Sequence, residues 1–360
     1  MKDLNANTTA LAAGEKLLSI EVTTHCNLHC LHCFVYSRKT GPASISHALV
    51  LKILREGYDG GYRRLHLTGG EPLLWEGLLG TLDDAMSLGY SSILINTNGT
   101  LLSKNMCARL SNCDKVSISV SLDGSAKYHD RLRGYGQYEK AMWGIENALD
   151  AGIGTMIFTA MGKSLLPKLP VFATGVFEKF PAIRCVCVIP LMNTLDGDFS
   201  LSDDLLRPKD FICLIWGISL LSFLGIRIDV LNEPLAYAAA AALECPLSQW
   251  SQPLNRKESI IVMADGTVRM SHFSRTDFGL YRAGRLQNIL TSYAYQKAVT
   301  GDDTTCPLCQ YRPLCTAHGM YRPSEFAKYS IEKSLYCRTV LDMISQQGSC
   351  QNNNIALRGR

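Results

Sequence analysis

Across residues 17–190, short runs of apolar and β-branched side chains alternate with longer stretches in which apolar residues recur every three or four positions. The short runs are Leu18–Thr23, Arg64–Thr68, Ser92–Asn96, Val116–Ser121, Thr155–Ala160 and Arg184–Ile189. They read as strands, because β-branched residues favour the extended backbone. Between them, Ser46–Tyr58, Leu74–Leu88, Ser103–Leu110, Gln137–Asp150 and Leu165–Phe180 carry the helical period. Strand, helix, strand in repetition is the signature of parallel strands joined by crossover helices. The pattern predicts an α/β fold, a partial (β/α)6 barrel of the TIM type, with its chemistry at the C-terminal ends of the strands.

After Pro190 the rhythm changes. Asn193–Ser202 is polar and loop-like. Phe211–Ile226 is uncharged, but it is shorter than a bilayer crossing and is closely bounded by Asp210 and Arg227. It reads as a buried helix leading into a strand at Ile226–Val230. Pro234 suits the first turn of a helix over Leu235–Leu243. The hairpin segment IIVMADGTVRM places Asp265–Gly266 where a type I′ turn is expected. The expected organisation is an N-terminal extension (1–16), the barrel (17–200) and a linking helix and strand (201–232). A smaller second domain (233–345) and a polar, disordered tail (346–360) follow.

Composition narrows the function. The 360 residues are 47% hydrophobic, enough for a sizeable core. A net charge of +4 is too small to argue for a nucleic-acid partner, and no membrane partner is expected. Residues 1–16 lack the apolar centre of a secretion signal, so a cytoplasmic location is expected, with the 14 cysteines kept reduced. Reduced thiols at short spacings point to metal or iron–sulfur chemistry.

Three cysteines, Cys26, Cys30 and Cys33, follow the first strand within eight residues. Three thiolates on one centre leave a position open, as a catalytic site requires. A zinc site completed by His25, His29 or His32 is the other reading of this spacing. Gly69-Gly70-Glu71-Pro72 comes after the second strand, and its glycines allow close backbone approach to a ligand. Asn96-Thr97-Asn98-Gly99 follows the third strand. Ser119 to Gly124 (SVSLDG) ends the fourth, with Asp130 and Arg133-Gly134 just beyond.

This order of motifs on successive strand ends resembles the radical S-adenosylmethionine (SAM) enzymes. The resemblance implies a [4Fe–4S] cluster on Cys26, Cys30 and Cys33, with S-adenosylmethionine chelating its fourth iron. It implies one-electron cleavage of the sulfonium to a 5′-deoxyadenosyl radical that takes hydrogen from a substrate. Gly69, Gly70 and Glu71 would then meet the methionine amino group. Arg133 would pair the methionine carboxylate, and Ser121, Asp123 and Asn98 would lie nearby. His32 would lie against the adenine. Of the two serines, Ser121 is taken as the inward one, on the expectation that strand alternation separates it from Ser119.

A second group, Cys306, Cys309, Cys315 and Cys337, resembles the C-terminal domain called SPASM. Two family ligand positions fall on Ser271 and Gly319, which implies one auxiliary [4Fe–4S] cluster on the four cysteines and leaves Cys245 as a remnant. His272 and His318 flank the altered positions and are possible substitutes. Cys185 and Cys187 are two apart on the sixth strand and share a face. They are either hydrogen donors to a substrate radical or small core residues. Cys107, Cys113 and Cys213 are expected to be packing residues, and Cys350 is unassigned. The resemblance implies an oxidoreductase or maturase of a peptide or protein side chain, supplied by a reductant such as flavodoxin or ferredoxin. With the first strand near Leu17, leader recognition is expected to come from another protein. The alternatives are small-molecule work of the haem-biosynthetic type and, remotely, a non-catalytic zinc-binding interaction protein.

Overall fold

The computed structural model describes residues 15–37, 43–191, 201–231, 233–245, 259–270, 277–300 and 336–346, together with 247, 272 and 309–311. The six expected strands form as β1 (Lys16–Thr23), β2 (Tyr62–Gly69), β3 (Ser92–Thr97), β4 (Val116–Ser121), β5 (Gly154–Met161) and β6 (Val186–Pro190). A short helix, α1 (Phe34–Ser37), follows the cysteine loop. Then come α2 (His47–Asp59), α3 (Leu78–Leu88), α4 (Lys104–Leu110), α5 (Ala126–Arg133), α6 (Gln137–Asp150) and α7 (Leu169–Lys179).

Ser46 and Ser103 are caps rather than helical residues. Their hydroxyls accept the N–H groups of Leu49 and Met106, which satisfies orphan donors of the first turn. α3 starts four residues later than the periodicity predicts, because Pro72–Leu74 is spent on a 3-10 turn capped by Glu71.

β1 to β6 pair in parallel in chain order, so the barrel reading holds. α8 (Pro208–Phe223) and β7 (Ile228–Val230) are the expected helix and strand; α8 is buried on one side only, and β7 adds to β6 in parallel. No helix among the described residues is long and apolar enough to cross a membrane. α9 (Pro234–Ala242) precedes β8 (Ser259–Val262), β9 (Thr267–Arg269) and β10 (Asp277–Leu280). α10 (Leu286–Leu290) and α11 (Tyr293–Thr300) follow, and a last helix, α12, covers 336–346.

β8 pairs in parallel with β1, so the strand order is β10-β9-β8-β1-β2-β3-β4-β5-β6-β7. Its edges are β10 and β7, which leaves the barrel open. The hairpin joining β8 to β9 forms, but not with a type I′ turn. That turn needs positive φ at both central residues, and only Gly266 is left-handed (φ 86°). Gly266 donates to the Met263 carbonyl (2.9 Å) and Met263 to the Thr267 carbonyl (2.8 Å). The Asp265 carboxylate accepts the Thr267 N–H (2.9 Å), which holds the aspartate in an ordinary conformation.

Each inner strand buries alternate residues beneath the helices. Leu18, Ile20 and Val22 of β1 join the apolar core, with Leu65 and Leu67 of β2, Ile93 and Ile95 of β3, and Val186 and Val188 of β6. The other face of these strands carries Ser19, Glu21, His66, Asn96, Ser119 and Cys187, so the barrel interior is polar. Glu56 of α2 fastens the C-terminal segment to the barrel. It accepts the Tyr281 hydroxyl (2.5 Å) and the N–H groups of Gly284 (2.6 Å) and Leu286 (2.9 Å).

Candidate active site

The loop after β1 carries Cys26, Cys30 and Cys33, all half-buried and none in a disulfide. Its backbone is tied down on both flanks. Thr24 donates to the Ala43 carbonyl (2.8 Å), and Leu31 to the Leu132 carbonyl in the last turn of α5 (2.9 Å). The Cys26 sulfur accepts the Leu28 N–H (3.4 Å) and faces Asn98 Nδ2 (3.8 Å). Cys30 faces Arg133 Nη1 (4.0 Å). Burial raises the Cys30 thiol to about 11, with Arg133 pulling the other way, and burial also raises Cys26. Among the described residues no three His, Cys, Asp or Glu side chains converge on a single-ion site, these thiols included.

The two glycines after β2 lie against this loop. A Cβ on Gly69 would sit 2.2 Å from the Thr23 carbonyl oxygen, and one on Gly70 would sit 2.1 Å from that of His25. Their absence lets Gly70 donate to Thr23 O (2.7 Å) and Glu71 to His25 O (2.8 Å). The backbone they bring close is therefore the chain leading to Cys26. The Glu71 carboxylate is fully buried and occupied. It accepts the N–H of Leu73 (3.1 Å), the hydroxyl of Thr97 (2.8 Å) and the N–H of Asn98 (2.8 Å). Burial pushes it up to about 7 against these donors. The Glu71 side chain thus joins the ends of β2 and β3, and its carbonyl accepts the Leu74 N–H (3.0 Å).

Asn98 bridges to the cysteine loop. Its Nδ2 donates to Asn27 Oδ1 (2.9 Å), and its Oδ1 accepts from the N–H (2.9 Å) and the hydroxyl (2.7 Å) of Thr100. Ser119 and Ser121 lie two apart and so point to the same side of β4; alternation does not separate them. Ser119 is buried and its hydroxyl donates to Asn96 Oδ1, whereas Ser121 at the strand end is half-buried.

Beyond β4, Asp123 is fully buried and accepts Arg133 Nε (2.5 Å) and the Ala160 N–H (2.7 Å). Burial raises its carboxyl, but Arg133 outweighs that and holds it below the usual range. The same pairing overcomes burial to keep Arg133 charged. His129, buried on α5, accepts the Asp123 N–H at Nδ1 (3.1 Å). Burial pushes His32 and His129 down to about 4, so both imidazoles are neutral at pH 7. Nδ1 of His32 and Nε2 of His129 have no hydrogen-bond partner. His129 and Asn27 were not picked out in the sequence. A lone helical histidine carries no signal, whereas Asn27 adjoins Cys26 and could have been suspected on that ground.

The Cys185 and Cys187 sulfurs are 3.5 Å apart and buried. Cys187 sits opposite Asp229 of β7, on the face away from Val186 and Val188. Cys245 is buried in the core, bonded to the Ser219 side chain, and His272 approaches Glu21 (3.9 Å). Cys107 and Cys113 pack as expected. Cys213 does not: it lies on the solvent face of α8, because the buried stripe of that helix passes through Phe211, Ile212, Leu214 and Ile215. Cys309 and Cys337 are half-buried. Cys306, Cys315, Ser271, His318, Gly319 and Cys350 lie outside the described residues.

Three thiols on the loop after the first strand of an open parallel barrel, with glycines, an asparagine and an Arg–Asp pair on the next three strand ends, define a class. Residues 20–165 match the Radical SAM superfamily model. Over 163 residues the chain is 30% identical to the mycofactocin maturase MftC of Mycobacterium tuberculosis, covering 44% of this chain and 40% of that protein. Over 207 residues it is 31% identical to the AdoMet-dependent heme synthase of Methanosarcina barkeri, covering 56% and 57%. The chain thus spans about two fifths of the length of the MftC relative. The fold is that of native anSMEcpe with bound AdoMet and Cp18Cys peptide, with a TM-score of 0.67 over 95% of this chain and 99% of that one at 16% identity.

The residues present fit the cofactors of that class. None of the thiols is in a disulfide, Cys26 and Cys30 have N–H groups turned towards sulfur, and a buried imidazole nitrogen of the neighbouring His32 lacks a partner. Such donors stabilise cluster thiolates.

Proposed function

We propose that this chain is a radical SAM maturase that modifies a peptide or protein side chain. The observation that carries this reading is the three-thiol loop clamped between the glycine shelf and the Asp123–Arg133 pair. Cys26, Cys30 and Cys33 would hold a [4Fe–4S] cluster, and the open position would take S-adenosylmethionine. When bound, the pair supplies hydrogen abstraction from an unactivated carbon.

The chain's own residues position that chemistry. Asp123 fixes the Arg133 fork, which is suited to a carboxylate such as that of methionine. The Gly69–Glu71 segment would meet the methionine amino group. Asn98 and Ser121 line the adjoining strand ends, and neutral His32 offers an uncharged ring for adenine. Cys185 and Cys187 face the polar barrel interior, where a hydrogen donor is useful. Cys306, Cys309, Cys315 and Cys337 would hold one auxiliary [4Fe–4S] cluster in a SPASM-like segment over 233–345, and a flavodoxin or ferredoxin would supply electrons. Haem-type small-molecule work is the second reading, favoured by the longer match to the heme synthase.

The test is anaerobic purification with iron analysis, followed by assays with S-adenosylmethionine and dithionite. Two [4Fe–4S] clusters give about eight irons per chain. Replacing Cys26, Cys30 and Cys33 by alanine together should halve the iron and abolish S-adenosylmethionine cleavage. A colourless, zinc-loaded protein, or cleavage that survives the triple replacement, sinks the proposal. A mass change on a tetrapyrrole and none on any peptide would select the second reading.

A further inference from the structure

α8 buries one side against the barrel and leaves the other side bare. On the bare side Trp216 is 49% exposed, Leu220 60%, Phe223 84% and Leu224 65%, with exposed Cys213 completing the stripe. No charged residue lies between Phe211 and Leu224, so no charge breaks the patch. At about 150–250 Å² for a fully exposed large side chain, the four residues present on the order of 500 Å² of apolar surface. That is the core of an interface whose usual size is about 800 Å² per partner.

The spacing of the stripe is symmetric about the level of Ile218. Trp216 and Leu220 lie two residues either side, and Cys213 and Phe223 lie five either side. A two-fold axis there sets Trp216 of one copy against Leu220 of the other and Cys213 against Phe223. An isologous contact demands this self-complementarity. Gly217, with nothing within 4 Å of its Cβ position, allows the two helices to approach closely. The same arrangement brings exposed Arg207 and Lys209, before and within the first turn, beside the carbonyl end of the partner's helix. Positive charge is favoured there.

We propose that this chain pairs with a second copy of itself through antiparallel packing of α8. The test is the mass of the full, iron-loaded chain by sedimentation or light scattering across the micromolar range. Twice 39.7 kDa is expected. Leu220→Glu should give a monomer with unchanged iron content and thermal stability. In a Phe223→Cys variant, mild oxidation should link the copies through native Cys213. The wild type should not link, because its two Cys213 thiols stand at opposite ends of the pair. The cross-link keeps the test open should the glutamate variant fail to fold. A monomer at every concentration, a dimer untouched by Leu220→Glu, or a wild-type monomer that partitions onto phosphatidylcholine vesicles overturns the proposal.

Discussion

Gly70→Ala tests whether the glycine shelf sets the position of the cysteine loop. The new methyl would lie 2.1 Å from the His25 carbonyl oxygen, 2.5 Å from its carbon and 2.7 Å from the Thr24 oxygen. All three are backbone atoms, so no side chain can swing aside. The shelf and the loop must part by about 1 Å to restore a carbon–oxygen contact of ordinary length. That separation stretches both ties, Gly70 N–H to Thr23 O (2.7 Å) and Glu71 N–H to His25 O (2.8 Å), beyond hydrogen-bonding range. Each buried pair lost costs about 1–3 kcal/mol, so the variant should be roughly 2–6 kcal/mol less stable. The assay is urea unfolding of the metal-free chain, with iron reconstitution measured beside it. Gly175→Ala on α7 is the control, since its Cβ position is empty. There alanine should be neutral or stabilise by up to about 1 kcal/mol. The reasoning fails if Gly70→Ala unfolds with the wild type and takes up full iron.

Asp123→Ala should cost about 3–5 kcal/mol in the same assay, because it strands the buried Arg133 charge. The Asp123 carboxyl lies below its ordinary 3.8, so its contribution is complete above that pH and fades only as pH falls further. Glu71 has the opposite sign. Its value rises from 4.5 to about 7 on folding. The folded state therefore holds the extra proton, and roughly 3 kcal/mol of stability is lost as pH climbs through that interval. Glu71→Gln should flatten this slope in pH-dependent unfolding, and an unchanged slope would contradict it. Glu56→Ala leaves three donors without their acceptor. It should free the 281–286 segment to early proteolysis, with a loss of about 2–4 kcal/mol; identical cleavage kinetics would count against the clasp.

Several features need no more than local rules. Strand periodicity placed β1 to β6 within two residues, because a buried strand face must alternate. Loop motifs were legible for a similar reason. Cys26, Cys30 and Cys33 sit close in the chain, and a short spacing constrains where three thiols can go. Other features depend on pairs far apart. The docking of β8 on β1 joins residues more than two hundred positions apart, and no local period encodes it.

Side-chain roles divide in the same way. The sequence marks Gly69, Gly70 and Glu71 as special but not against what. Only the packed structure shows the glycines touching the chain at Thr23 and His25, and the Glu71 carboxylate spent on Thr97 and Asn98. It likewise decides that His129 supports Asp123 and that Cys213 faces solvent. The residue types and their order determine which chemistry this protein can hold. The tertiary structure decides which atoms face one another, because burial and close approach join residues that the chain keeps apart.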